Sequence, residues 1–368
     1  MDKYYLAALT SAFTYLPAVK LWELMAKFGS AQSIFSADLS TLKATGLISS
    51  YLLKRYRERY KISLPDDLAE YCYKHKVDLV DFHNKQYPFL LRHIANPPPV
   101  LYIKGKIPST QIFLAMVGSR SATDYGLTIA KDFAKKLSLR NLTIVSGGAY
   151  GIDAAAHKGA LEGSGNTVAV IGSGFDNLYP VCNQKLFWEI QEKGALVTEF
   201  SPDIEPLSKH FPLRNRIIAG MSQSILVVEA AQRSGAIITA GLALEEGRDV
   251  YAIPGDITAG NSKGTNSLIQ DGAKLITCPE DVLGEFVLFG NKNKKIKEET
   301  FSLFSSLPCK EENDAARVFA LIGSHSTVTI DEIVLASGLS VQKLAGILLN
   351  LQLKGFIAQE AGNCYRRI

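Results

Sequence analysis

Cysteine is scarce in this chain. There are five in 368 residues, at positions 72, 182, 278, 309 and 364, and no two form a C-x-x-C pair. An odd, scattered set argues against a disulfide framework and against a zinc finger, and suits a reducing compartment, so a cytoplasmic location is expected. Long hydrophobic runs are missing too. No stretch free of Asp, Glu, Lys and Arg reaches the roughly 18 residues that a membrane span needs, so no membrane partner is expected. The start, Met1-Asp2-Lys3-Tyr4-Tyr5, lacks the basic-then-apolar design of a secretion leader. Nor does one sign of charge dominate: 40 Lys and Arg face 36 Asp and Glu, a net of +4. Residues 1–80 are net +3, residues 291–368 net +2 and residues 81–290 net −1. Bulk charge therefore announces no nucleic acid, and any such partner must be held by a local cluster.

What the chain does have is apolar material, 47% of residues against 21% charged, enough for real cores in two or three domains. Residues 1–80 read as a small helical piece. Apolar positions recur at helical spacing over Leu16–Phe28 and Leu39–Lys54, and Phe28-Gly29-Ser30 is a stop signal. The run Lys54-Arg55-Tyr56-Arg57-Glu58-Arg59 reads as a solvated basic face or, with Gly46 as its turn, as part of a helix-hairpin-helix type module. Asn96-Pro97-Pro98-Pro99 then breaks any regular element.

From residue 112 onward, short β-rich runs alternate with helical stretches. Seven strands are expected, at Phe113–Val117, Leu142–Ser146, Thr167–Ile171, Ala195–Thr198, Ile225–Val228, Val250–Ile253 and Leu275–Thr277. Several are apolar at nearly every position, as parallel strands covered on both faces are. This predicts an α/β domain over residues 81–290 with a doubly wound sheet and a ligand at the carboxyl ends of its strands. Residues 291–313 read as a linker. Residues 314–368 read as a winged helix: helices over Ala315–Ile322, Thr329–Ala336 and Ser340–Gly355, then a hairpin from Gly355-Phe356-Ile357 and Cys364-Tyr365-Arg366.

The first three strands each run into a glycine-bearing loop: Gly118-Ser119-Arg120, Gly147-Gly148-Ala149-Tyr150-Gly151 and Gly172-Ser173-Gly174. Such loops let a backbone approach a phosphate at a helix N-terminus, although tight turns need glycine in any case. Neither G-x-G-x-x-G nor a Walker A motif occurs, which argues against a dinucleotide or ATP, and no cofactor is expected. The segment Lys209-His210-Phe211-Pro212-Leu213-Arg214-Asn215-Arg216 combines cations with an aromatic ring, a set suited to a nucleic-acid strand. Its arginines fall at the start of a helix and call for a nearby anion, either a phosphate or a sheet carboxylate such as Glu199 or Glu229. With Arg120 they are expected to face one crevice. Asp153 and His157, four apart, read as an architectural pair rather than a catalytic dyad, and no metal-ligand cluster stands out.

These blocks carry a resemblance. Gly118-Ser119-Arg120, Ser146 to Asp153 with Ala156-His157, Tyr179-Pro180 and Phe211 to Gly220 resemble the DNA-processing protein A (DprA/Smf) family. Glu229-Ala230, Ser234-Gly235, Thr239-Ala240, Ile253-Pro254-Gly255 and Gly264-Thr265-Asn266 continue the resemblance in order. It implies an extended Rossmann-like domain flanked by a SAM- or helix-hairpin-helix-like helical domain and a C-terminal winged helix. It also implies a protein without catalysis that binds single-stranded DNA taken up in natural transformation, loads the RecA recombinase onto it and forms a homodimer. Carried over, the DNA site would comprise Gly118, Ser119, Arg120, Gly147, Gly148, Gly172, Lys209, Phe211, Arg214, Asn215 and Arg216. The dimer would use the blocks Leu268-Ile269, Leu275-Ile276 and Val282-Leu283, with Leu275-Ile276 better read as core. The alternative is an enzyme of the nucleoside-monophosphate phosphoribohydrolase group. That group is expected to carry a Pro-Gly-Gly-x-Gly-Thr-x-x-Glu loop where this chain has Arg233-Ser234-Gly235-Ala236-Ile237-Ile238-Thr239. The third helix of the winged domain offers only Lys343 and Lys354 for phosphate, so DNA reading and protein docking both stay open there.

Overall fold

The computed structural model describes residues 2–62, 64–110 and 112–286, and toward the C-terminus 318–319, 321–322, 328–337, 339, 341–353, 357–360 and 364–367. The chain forms two compact units, Met1–Val282 and Leu283–Ile368.

The first unit opens with helices α1 (Asp2–Ala12), α2 (Ala18–Phe28), α3 (Ala31–Ser36), α4 (Leu39–Ala44), α5 (Ser50–Arg57), α6 (Arg59–Ile62) and α7 (Pro65–Lys74). Short polar caps fix their starts: the Ser30 and Asp38 side chains accept from the Ser33 and Thr41 amides at 3.0 and 2.7 Å. The stretch read as one helix over 39–54 is two, because Gly46 at φ +69° breaks it. Within the basic run, Lys54 and Arg57 are exposed, but Arg55 and Arg59 turn inward. Arg55 donates to the Ser11 and Ala12 carbonyls at the end of α1. Arg59 donates to the Phe35 carbonyl at 2.6 Å and lies 4.0 Å over the Tyr56 ring. Each arginine thus satisfies carbonyls that a helix end leaves open.

The sheet follows: β1 (Val77–Asp81), β2 (Val100–Gly105), β3 (Ile112–Val117), α8 (Asp124–Leu139), β4 (Leu142–Ser146), α9 (Ile152–Glu162), β5 (Thr167–Val170), α10 (Gln184–Lys193), β6 (Ala195–Thr198), α11 (His210–Met221), β7 (Ser224–Val227), α12 (Gly235–Glu245), β8 (Asp249–Ala252), α13 (Lys263–Gln270) and β9 (Lys274–Leu275). Its order is β1-β2-β6-β5-β4-β3-β7-β8-β9. Neighbours from β6 to β9 are parallel, and β4 to β7 are buried at every position. The sheet has nine strands, not seven. The two additions, β1 and β2, pair antiparallel with Asp81 opposite Val100, and β2 pairs antiparallel with β6. The N-terminal helices and one face of the sheet share a core: Leu9, Phe13 and Leu24 belong to the same cluster as Leu79, Tyr102, Phe187 and Leu196.

The second unit contains β10 (Val328–Thr329), α14 (Ile330–Ser337), α15 (Val341–Leu353), β11 (Ile357–Glu360) and β12 (Cys364–Arg367), with strand order β10-β12-β11. Its core joins Val318, Ile322, Ile333, Leu344, Leu348, Leu351, Ile357 and Tyr365. The ribbon and the helices α14 and α15 match the expected winged helix, while of the helix expected over Ala315–Ile322 only residues 318–319 and 321–322 are described. The linker read at 291–313 lies outside the described residues.

Candidate nucleic-acid interface

Strand order reverses at β3: β4, β5 and β6 build outward on one side, and β7, β8 and β9 on the other. The loops leaving β3 and β7 therefore diverge and leave a crevice, the usual ligand position of a doubly wound sheet. A cleft of about 410 Å³ opens there, lined by Gly118, Ser119, Arg120, Ser121 and Ala149 from the β3 and β4 loops, Asp153, Arg214 and Asn215, and Ser234 to Ala236 at the start of α12.

The β3 loop is tied on several sides. The Ser119 amide donates to the Glu229 carbonyl at 2.7 Å, and the Ile152 amide donates to the Ser119 carbonyl. The buried Glu229 carboxylate accepts from the Thr123 amide and, at 2.7 Å, from the Thr123 hydroxyl. Thr123 in turn caps α8. Glu229 is thus the anchor of this loop rather than a carboxylate facing a ligand.

The floor is Arg214, only 3% exposed. Its guanidinium donates to the Gly147 and Val170 carbonyls and to Asn215 Oδ1. A Cβ at residue 147 would lie 2.6 Å from both Arg214 Nη2 and Asp153 Oδ2, so glycine here makes room for an arginine facing a carboxylate. Asp153 accepts from the Gly147 and Ala149 amides at 3.1 and 3.4 Å. Burial raises its pKa while the positive charge of Arg214 pulls it back down. Burial also lowers Arg214, to about 10, which leaves it charged at neutral pH.

Arg120 is exposed at the rim, its guanidinium 5.2 Å from the centre of the Phe211 ring. Phe211 in turn lies against Gly172, where a Cβ would come within 3.0 Å of the ring. A cation and a half-buried ring therefore share the mouth of a cleft whose floor carries a second, fixed cation.

Over residues 78–287 the chain matches the family described as DNA recombination-mediator protein A, and over 305–363 the DprA winged helix domain. It is 38% identical to protein Smf of Escherichia coli over 294 residues, covering 78% of this chain and 77% of that one. It is 46% identical to DNA processing protein DprA of Streptococcus pneumoniae over 201 residues, covering 54% and 71%. The solved structure of DNA processing protein A from Streptococcus pneumoniae superposes with a TM-score of 0.66 at 35% identity, covering 77% of this chain and 98% of that one. A structure of the Helicobacter pylori protein, described for its single-stranded DNA binding mode, superposes with a TM-score of 0.53 at 26% identity, covering 58% and 96%. The chain belongs to the DNA-processing protein A (DprA/Smf) family.

Of the site residues expected from this family's motifs, Gly118, Ser119, Arg120, Arg214 and Asn215 line the one cleft, with Phe211 at its edge. The structure places the other expected residues differently. Arg216 does not join Arg120 and Arg214: its Nη2 pairs with Glu199 Oε2 at 2.5 Å, and it lines a separate cleft of about 490 Å³ beneath α1 and α2. Lys209 lines that second cleft as well, with its ammonium 4.9 Å over the Tyr15 ring. The Gly147 amide is already used by Asp153, because the buried carboxylate needs donors more than the loop needs an open anion site. Gly148, at φ +65°, packs against the Phe187 ring, and Gly172 serves Phe211. Asp153 and His157 do not bond to each other. His157 is fully buried, its Nδ1 lies 2.7 Å from Thr167 Oγ1, and burial lowers its pKa to about 3. For the dimer blocks, Ile276 and Val282 are buried, whereas Leu275, read as core, is 44% exposed because β9 is the edge strand. Two exposed rings, Tyr179 beside Phe211 and Tyr150 beside Tyr179, are absent from the expected site although both stand in the family-like blocks.

Proposed function

We propose that this protein binds single-stranded DNA without catalysing a reaction, protects strands entering the cell in natural transformation and loads the RecA recombinase onto them. The observation that carries the reading is Arg120 over Phe211 at the mouth of the Arg214 cleft. Together they offer one exposed cation for phosphate, one ring for a base and one fixed cation beneath. The name of the Helicobacter pylori relative supports the same ligand. The one carboxylate lining the cleft, Asp153, is committed to two backbone amides, which supports binding rather than acid–base chemistry. A homodimer belongs to the reading: Ile238, Leu244 and Leu275 leave apolar area exposed on α12 and the β9 edge, and two coupled sites would grip one strand with added avidity.

The test is a fluorescence-anisotropy titration of the full chain with a labelled oligothymidylate and an equal-length duplex across salt concentrations. Tight, steeply salt-dependent binding of the single strand and weaker binding of the duplex are expected. Affinity that stays flat with salt, or a preference for the duplex, overturns the reading. Base release from nucleoside monophosphates in a parallel assay would favour the hydrolase instead.

A further inference from the structure

Tyr150 and Tyr179 stand 42% and 41% exposed on two different loops, yet they meet. Their ring centres lie 6.4 Å apart with planes at 89°, and Tyr179 lies 6.1 Å from Phe211 with planes at 49°. With the Arg120 guanidinium 5.2 Å from the Phe211 ring, these side chains form one row of neighbours, Arg120 to Phe211 to Tyr179 to Tyr150, that starts at a residue lining the cleft.

The row is held in place from below. Asn183, 7% exposed, follows Tyr179 by four residues, and its Nδ2 donates to the Gly148 and Ala149 carbonyls at 3.0 and 3.2 Å. That pair of bonds ties the loop carrying Tyr179 to the loop carrying Tyr150. Tyrosines held in place by packing from below offer open ring faces with a wet hydroxyl edge, the arrangement found where one side of a ring takes a ligand.

We propose that Phe211, Tyr179 and Tyr150 are a three-ring platform on which successive bases of one nucleic-acid strand stack, with Asn183 as its positioning residue. The inference rests on the single-strand reading above. It adds two base-binding residues and a direction of travel, away from Arg120 and toward the β4 loop. The spacing also selects the form of the strand. Successive nucleotides in a B-form strand advance about 3.4 Å. Rings 6.1 and 6.4 Å apart and turned against each other cannot serve bases still stacked at that rise. Each ring therefore takes a base already separated from its neighbour, which an extended single strand supplies and a duplex does not. Stacking of this kind tolerates any base.

The experiment compares oligothymidylates with oligonucleotides of the same length whose central positions are abasic, on wild type, Tyr150→Ala, Tyr179→Ala, both Tyr→Phe changes and Arg120→Ala. Each Tyr→Ala change should weaken oligothymidylate binding roughly five- to hundredfold while leaving the salt dependence at the wild-type slope. The phenylalanine variants should bind like wild type, and on the abasic strand all four tyrosine variants should match wild type. Photocrosslinking of wild type with 5-iododeoxyuridine oligonucleotides should mark peptides holding Tyr150 and Tyr179, which guards against a variant that folds poorly. If the alanine variants bind with wild-type affinity while Arg120→Ala is weakened, the platform is wrong and the single-strand reading stands. Equal losses on intact and abasic strands, or crosslinks that miss both tyrosines, overturn it too. If wild type binds no oligonucleotide, the single-strand reading falls and takes the platform with it.

Discussion

The guanidinium of Arg214 lies over the α-carbon of Gly147 and donates to that residue's carbonyl at 2.7 Å. The contact joins α11 to the loop after β4, and it makes Arg214 a structural residue as well as a charged floor. Arg214→Ala should destabilise the first unit by about 1–3 kcal/mol for each buried carbonyl it leaves without a donor, those of Gly147 and Val170, and it also takes the positive charge away from buried Asp153. Thermal melting checks this. Arg214→Lys should recover only part of the loss: an ammonium can replace Nη1, which serves both carbonyls, but lysine has no counterpart of the Nε that donates to Asn215 Oδ1.

Arg120 is exposed and makes no ion pair among the described residues, so Arg120→Ala should leave melting unchanged. It should cost about 1–3 kcal/mol of single-strand affinity and reduce the salt slope by about 0.7. Phe211→Ala should cost a similar affinity without changing the slope. Anisotropy titrations at four salt concentrations separate the two.

Arg216 should behave in the opposite way. Its partner is Glu199, and the two side chains are 15% and 16% exposed. Arg216→Ala should lower stability, show a coupling of about 0.5–3 kcal/mol with Glu199→Ala in a double-mutant cycle, and leave the salt slope of DNA binding at the wild-type value.

His157 gives the fold an acid sensitivity. Its pKa falls from 6.5 to about 3 on burial, so the unfolded chain binds a proton that the folded chain refuses. That contribution to stability is whole above pH 6.5 and shrinks as pH falls toward 3, by about 1.4 kcal/mol per pH unit. Urea unfolding of wild type and His157→Gln between pH 7 and pH 4 should show the dependence in the first and a flatter curve in the second.

Deleting residues 1–76 uncovers the sheet face on which Leu9, Phe13 and Leu24 share a core with Leu79, Tyr102 and Leu196. A lower melting temperature for residues 77–282 than for the full chain is the expected outcome in calorimetry. An unchanged one would mean that the helical piece is an independent appendage.

The parallel strands were legible because each is a short apolar run, and the first three also end in a glycine turn, so β4 to β8 fall within a residue of their expected bounds. β1 and β2 were not. Their pairing is set by a register between residues 81 and 100, across a proline-rich loop that reads locally only as a break. The same limit governed the site. Spacing along α11 placed Arg214 and Arg216 near one another, but which carboxylate each would meet depends on where β4 and β6 lie. Residues two apart on a helix point away from each other, and these two enter different clefts. Tyr150 and Tyr179 were in view as letters of a motif, while their meeting depends on Asn183 tying two loops together.

Glu229 holds the loops after β3 and β7 as one piece, through Thr123 on one side and the Ser119 amide on the other. On the proposed single-strand reading, an arriving strand would find the loops that meet it already set, so nearly all the ordering entropy of association would fall on the nucleic acid. Affinity then follows the stiffness of the incoming polymer. A floppy pyrimidine tract pays for its own immobilisation, whereas a purine tract must first melt its helical stack. Calorimetry would register that difference as an enthalpy of unstacking and not as any rearrangement of the protein.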